Sequence, residues 1–211
     1  MVFGFLRRRP APDEGRWLMV DVEASGLDAA RDQLLAIAGV ALRVDWATRR
    51  IAIVPADSFE VVLRQEAPST RENILLHGIG AQRQRDGLDP VAALDRFRAW
   101  AGTSPLLAVH AAFDETLVGR WARATPAGPL PNAWLDLDHL CTVTHPKVRA
   151  RSLDEWMAHF DIRCAARHQA AADALAEAEL LLRIWPRVAA ECGSWADVVR
   201  MAAAHRWQAR G

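Results

Sequence analysis

Three apolar runs, the second and third rich in β-branched residues, follow one another before any helical pattern begins, and this order restricts the possible folds more than any other feature of the chain. The runs are Trp17–Asp21, Leu34–Val44 and Ile51–Leu63, the last interrupted at Pro55. Consecutive strands of this kind predict an antiparallel meander. Strand and helix patterns alternate afterwards. Thr70–Leu76 predicts a short helix, and Pro90–Trp100 a second one with Asp89 as N-cap and proline in the first turn. Val91, Leu94, Phe97 and Trp100 recur every three residues and are expected to form its buried stripe. Leu106–Val109 predicts a fourth strand, Phe113–Ala124 a helix with Leu117 and Trp121 on one face, and Trp134–Leu137 a fifth strand. Ser152-Leu153-Asp154-Glu155 is a capping box opening another helix. Gln169 to about Trp185 predicts the longest helix, ended by Pro186. The expected fold is α/β: a mixed five-stranded sheet with helices on both faces.

Length and composition limit what such a sheet can belong to. With 211 residues, 51% of them hydrophobic, one domain with a full core is expected. Its boundaries are placed at 16–190, after a flexible basic tail over 1–15 and before an extra helix, packed on the domain, within 191–211. That helix is read over Trp195–Trp207, with Trp195, Val198, Val199 and Ala202 on its packed side. Lys+Arg and Asp+Glu balance at 26 each, so no overall basic field marks a nucleic-acid binder, and phosphate contact must come from a local patch or bound metal. Cys141, Cys164 and Cys192 are odd in number and lack C-x-x-C spacing, which argues against a disulfide framework and a zinc site. The apolar start, Met1–Leu6, is too short for a signal-peptide core and runs into Arg7-Arg8-Arg9. No later apolar run approaches the ~18 residues of a membrane span. A soluble cytoplasmic protein without a membrane partner is the expectation.

Chemistry enters with the acids. Asp21 and Glu23 lie two apart on a strand and share one face, while Val20 and Val22 turn to the opposite layer. Two carboxylates so placed can reach one hard cation such as Mg²⁺ or Mn²⁺, and two such ions about 3.5–4 Å apart can hold the attacking and leaving oxygens of a phosphoryl transfer. Alternatively the pair only solvates a strand end. Asp114 follows the fourth strand, at the carboxyl end where ligands gather, although a helix cap is the simpler use for it. His168 precedes Asp173 by five residues, or about 140° in a regular helix, so convergence requires His168 on the preceding loop and Asp173 on the helix. Asp173 stands in an alanine run with no neighbouring Lys or Arg in sequence to neutralise it, a role that metal would fill.

Taken in order, these residues resemble a DEDDh 3′-to-5′ exonuclease, the superfamily of the proofreading epsilon subunit of DNA polymerase III and of ribonuclease T. The resemblance spans roughly 17–185. Asp21-Val22-Glu23-Ala24-Ser25-Gly26-Leu27 is similar to a first motif usually written D-x-E-T-T-G-L. Ala111-Ala112-Phe113-Asp114 is similar to the end of H-N-x-x-F-D, and His168 to Asp173 to H-x-x-x-x-D. Leu76-His77-Gly78-Ile79 resembles a recurrent H-G-I segment. The resemblance implies a ribonuclease H-like sheet and two divalent ions, Mg²⁺ or Mn²⁺. Asp21 would bridge both ions, Glu23 and Asp173 would complete the nucleophile-side site, and Asp114 would hold the second ion directly or through water. His168 would be the general base, since an unperturbed pKa of about 6.5 leaves it neutral and able to take a proton from the attacking water. Leu27 and Phe113 would pack against terminal bases, and backbone over Ala24, Ser25 and Gly26 would approach the 3′-hydroxyl, with His77 and His110 also facing substrate.

Two motifs depart from the family pattern. Ala24 and Ser25 replace two threonines, and Val109-His110 stands where His-Asn is usual, so contacts to sugar or phosphate are altered while the metal ligands are kept. The DEDDy branch needs a tyrosine four residues before its last aspartate. Gln169 occupies that position, and the chain has no tyrosine at all. The reading is a metal-dependent exonuclease releasing nucleoside 5′-monophosphates from the 3′ end of single-stranded nucleic acid, DNA favoured over RNA. Two alternatives stand beside it: a catalytically silent nucleic-acid-binding or protein-interaction module on the same fold, and an RNA-directed 3′ exoribonuclease. Association with a DNA polymerase or a second copy is left open, and no polymerase-binding tail is evident.

Overall fold

A computed structural model describes residues 11–205. The meander comprises β1 (Arg16–Ala24), β2 (Leu34–Asp45) and β3 (Arg50–Val62), with β1 antiparallel to β2 and β2 to β3. Two short strands follow, β4 (Leu106–Ala108) and β5 (Trp134–Asp136), parallel to β1 and to each other. The sheet order is β3-β2-β1-β4-β5, the expected mixed five-stranded sheet. Pro55 is accommodated by a bulge: Val40 pairs with Ser58 and Ala41 with Val54, so residues 55–57 loop out of register. The displaced Asp57 then accepts hydrogen bonds from Arg16 and from Trp100 Nε1 at 2.8 Å.

Among the described residues eight helices cover the two faces: α1 (Arg71–His77), α2 (Ala81–Arg85), α3 (Pro90–Ala101), α4 (Ala112–Arg123), α5 (Leu137–Thr144), α6 (Leu153–Phe160), α7 (Ala170–Glu191) and α8 (Trp195–Ala203). Strand alternation sorts the core into two layers. Trp17 and Met19 face Leu180, Leu181 and Ile184 of α7, whereas Leu18, Val20 and Val22 face Leu94 and Phe97 of α3 and Leu117 and Val118 of α4. Each such side chain, fully withdrawn from water, contributes about 1.5–3 kcal/mol.

Local capping agrees with the expectation at α3 and α6, and Thr70 and Ser194 add caps at α1 and α8. Thr70, Asp89 and Ser152 accept from backbone amides of α1, α3 and α6, and Ser194 does the same for α8.

Several expectations are corrected. Pro186 lies inside α7 and does not end it, for Trp185, Val188 and Ala189 are buried around it while the proline itself faces solvent. Tertiary burial outweighs the missing amide. Val91 is 40% exposed, and the packed stripe of α3 is Ala93, Leu94, Phe97 and Ala101. A strict three-residue spacing drifts off a 3.6-residue helix, which leaves the first position outside. Leu137 opens α5 instead of closing β5, because Asp136 caps the new helix by accepting from the Asp138 amide. In α8, Trp195, Val198 and Ala202 are buried but Val199 is exposed. Trp207 and the basic residues 1–10 lie outside the described residues. Glu14, within the segment read as tail, accepts from the Trp195 amide at 3.1 Å. Among the described residues no helix is long and apolar enough to cross a membrane.

Candidate active site

The end of β1 supplies the first two acids. Asp21 and Glu23 share the face of Met19, toward α7, as strand alternation demands. Beyond them the chain turns. Ser25 Oγ accepts from the Gln33 amide at 2.9 Å, and a Cβ on Gly26 would come within 2.5 Å of the Asp32 carboxylate, which would have to shift to admit a larger residue. The Ser25 hydroxyl is therefore used to hold the turn. Leu27 projects at its tip, 95% exposed.

Asp114 comes from the opposite layer. Val109 and His110 leave β4 in a tight turn, His110 adopts a left-handed backbone (φ 59°), and α4 begins two residues later with Asp114 in its first turn, buried. Histidine and asparagine both tolerate that backbone region better than most residues, so His110 satisfies the turn where the family pattern has asparagine. Its amide donates to Asp136 Oδ1 at 3.1 Å, and its ring lies 3.2 Å from the Arg151 carbonyl. Phe113 packs, partly buried, on the core beside β1.

His168 and Asp173 stand as the five-residue spacing requires. Gln169 is the N-cap position of α7, so His168 lies on the preceding loop, exposed, with a left-handed backbone (φ 60°). That turn aims its amide at Asp173 Oδ2, 2.9 Å away. Asp173 itself is buried.

One expectation fails here. Arg167 pairs with Asp173 and also donates to Asp154 Oδ1 of α6 at 2.6 Å, so a cation does reach Asp173. Proximity in sequence misled because the loop folds back through His168.

His77 is 2% exposed and does not present its ring to a ligand. Its Nδ1 accepts from the Ile79 amide at 2.8 Å, which leaves Nε2 carrying the proton toward Asn73 Oδ1, also 2.8 Å away. Asn73 in turn donates to the Ala24 carbonyl at 2.9 Å. His77 thus braces α1 against the strand end. Neither α1's link to Ala24 nor Asn73 was singled out from sequence.

Nor was Glu177. It lies one turn beyond Asp173 on the same face of α7 and is 2% exposed. Its i+4 spacing from Asp173 was the available signal.

Electrostatics bind these acids into one site. Burial first, then the charges of Glu177, Asp114, Glu23 and Asp173, hold the Asp21 carboxyl well above the usual range. Burial and then Asp173 push Glu23 up to about 8, against lowering by the Ala170 amide and Arg167. Asp114 rises to about 8, chiefly from burial, with the Asp136 charge adding to it and backbone hydrogen bonding, including that of Val22, opposing it. Glu177 is raised by burial and the Asp114 charge, and held down in part by the Val109 backbone. Mutual repulsion of this kind calls for a cation. The donor set is wholly carboxylate oxygen, and buried Glu23 Oε1 and Glu177 Oε2 have no hydrogen-bond partner, which fits a hard divalent ion. Among the described residues no three metal-ligating side chains already close on one point. Asp173, turned to Arg167, Cys164 and the His168 amide, accounts for part of that.

Comparison with known proteins agrees with this geometry. A family model described as Exonuclease (RNase_T) matches residues 18–181. The DNA polymerase III PolC-type of Bacillus subtilis is 28% identical over 173 residues, covering 82% of this chain and 12% of that protein. The PolC-type polymerase of Listeria monocytogenes is 27% identical over 175 residues, with the same coverage. The chain therefore spans only about an eighth of the length of these relatives. Among solved structures, E. coli exonuclease I in complex with a dA16 oligonucleotide superposes with TM-score 0.63 at 17% identity, covering 84% of this chain and 44% of that one. Cell-death related nuclease 4 gives 0.65 at 16% identity, covering 82% and 64%. These likenesses establish the ribonuclease H-like fold. With the family model matched over most of its length and the three acidic motifs gathered at one sheet end, the chain belongs to the exonuclease family, within the DEDDh 3′-to-5′ exonuclease superfamily.

Proposed function

We propose that this chain is a divalent-metal-dependent 3′-to-5′ exonuclease that releases nucleoside 5′-monophosphates from single-stranded nucleic acid, DNA in preference to RNA. One observation carries the reading: carboxylates from β1, α4 and α7 converge at the end of the sheet, half-buried on β1 and buried on the two helices, mutually repelling, with Glu23 Oε1 and Glu177 Oε2 left without a partner. The family implies divalent-metal dependence; two ions, Mg²⁺ or Mn²⁺, are part of the proposal. Bound there, they would supply charge neutralisation and alignment of the scissile phosphate. Asp21, Glu23, Asp114 and Asp173 would hold them. His168, exposed at the mouth on a loop tied to Asp173 by its own amide, would take the proton of the attacking water. Leu27 would lie against the terminal base, Phe113 beneath the strand, and the turn over Ala24, Ser25 and Gly26 along the terminal sugar. His110 would contact the substrate strand beside them. His77 would serve indirectly, through Asn73 and Ala24.

The DNA preference is supported by the relatives and neighbours: the former are named DNA polymerases, and E. coli exonuclease I is described bound to dA16 and dT13 oligonucleotides and in a zinc-bound single-stranded DNA complex. Matched single-stranded DNA, duplex DNA with a frayed 3′ end, and RNA of the same sequence separate the readings. Mononucleotide release fastest from single-stranded DNA is expected; faster release from RNA would assign the chain to exoribonucleases.

A further inference from the structure

Glu177 is not one of the four acids of the family pattern, yet it is buried with one carboxylate oxygen unpartnered. It follows Asp173 by four residues, so both project from one face of α7 toward the end of β1. Around it that face is alanine: Ala170, Ala174 and Ala178 are buried and bring the helix close to the sheet, which shuts Glu177 off from water. The Val109 backbone at the end of β4 serves one side of the carboxyl, while Oε2 has no partner. No arginine or lysine is paired with it among the described residues. Its charged neighbours are Asp114 and Asp136 from the β4 and β5 ends, Asp173 on its own helix, and Asp21, for which Glu177 outweighs every other charge. A buried carboxylate facing only carboxylates is costly unless a cation joins them.

We infer that Glu177 is a fifth carboxylate of the cation site, set behind Asp21 and Asp114, and that it raises the affinity of this chain for divalent metal beyond what the four motif acids provide. The inference rests on the metal-site reading above. A structural role for the acid alone would make the neutral isostere equivalent in metal binding.

Mn²⁺ binding to the metal-free protein, followed by the electron paramagnetic resonance signal of free Mn²⁺, tests this without substrate. Glu177→Gln keeps the shape of the side chain, and Glu177→Ala suits the alanine face should the amide not be tolerated. Either variant, folded by circular dichroism, is expected to bind Mn²⁺ about tenfold or more weakly than the parent. Asp21→Asn serves as the control. If Asp21→Asn weakens Mn²⁺ binding while both Glu177 variants match the parent, the inference is overturned and the metal site stands. Unchanged binding in Asp21→Asn as well would overturn the metal-site reading itself.

Discussion

At the scale of single residues, the site is held in a conflict that a cation would resolve. Asp114 has a folded pKa of about 8 against an ordinary value of 3.8, so its burial favours the fold only while it is protonated. Below about pH 4 that contribution is fully present, and it is lost as pH rises toward 8. The neutral isostere Asp114→Asn removes the loss. In metal-free buffer, the melting temperature of Asp114→Asn relative to the parent is expected to increase steadily from pH 5 to pH 8. A difference independent of pH over that range would mean that Asp114 ionises normally and is not part of a repelling cluster. The comparison with the isostere is needed because His77 and His145, lowered by burial, act in the opposite direction between the same limits.

At the scale of elements, β2 approaches β1 and α3 most closely opposite Val20, next to Asp21 in the strand that carries the first two acids. Gly39 faces Val20 across β1 and β2, and a Cβ there would meet the Met19 carbonyl oxygen at 2.7 Å and the Trp100 ring at 2.8 Å. Backbone cannot yield as a flexible side chain would. Gly39→Ala is expected to lower stability by about 1–3 kcal/mol, read from denaturant unfolding; an unchanged midpoint would show that α3 packs more loosely than described. Element type was legible in the sequence wherever periodicity or a cap acted alone, as in β1, β2, α1, α3 and α6. Alternation on β1 gave the common face of Asp21 and Glu23 correctly. What could not be read were matters decided between elements. Pro186 continues α7 because residues on either side are buried against the sheet. Arg167 meets Asp173 only because the loop reverses at His168. Glu177 looks in sequence like Glu191, a solvent-facing residue of the same helix, until the packing of α7 shows which side is covered.

At the scale of the whole molecule, the antiparallel meander builds a broad platform, and the two short parallel strands bring helix starts to the same end of the sheet as the last residues of β1. Acids from three separated stretches of chain therefore meet, which is the arrangement a phosphodiester hydrolase of this family needs. Helices on both faces exclude water beneath them, and the exposed rim carries Leu27 and His168. The most direct test of this account is the product of a 3′-labelled single-stranded DNA incubated with Mg²⁺ or Mn²⁺ and either the parent or Asp114→Ala. The parent is expected to release labelled mononucleotide from the 3′ end, and Asp114→Ala, still folded, to do so about a hundredfold more slowly or less. Equal release by the two proteins, or no release by the parent with either metal, would contradict it.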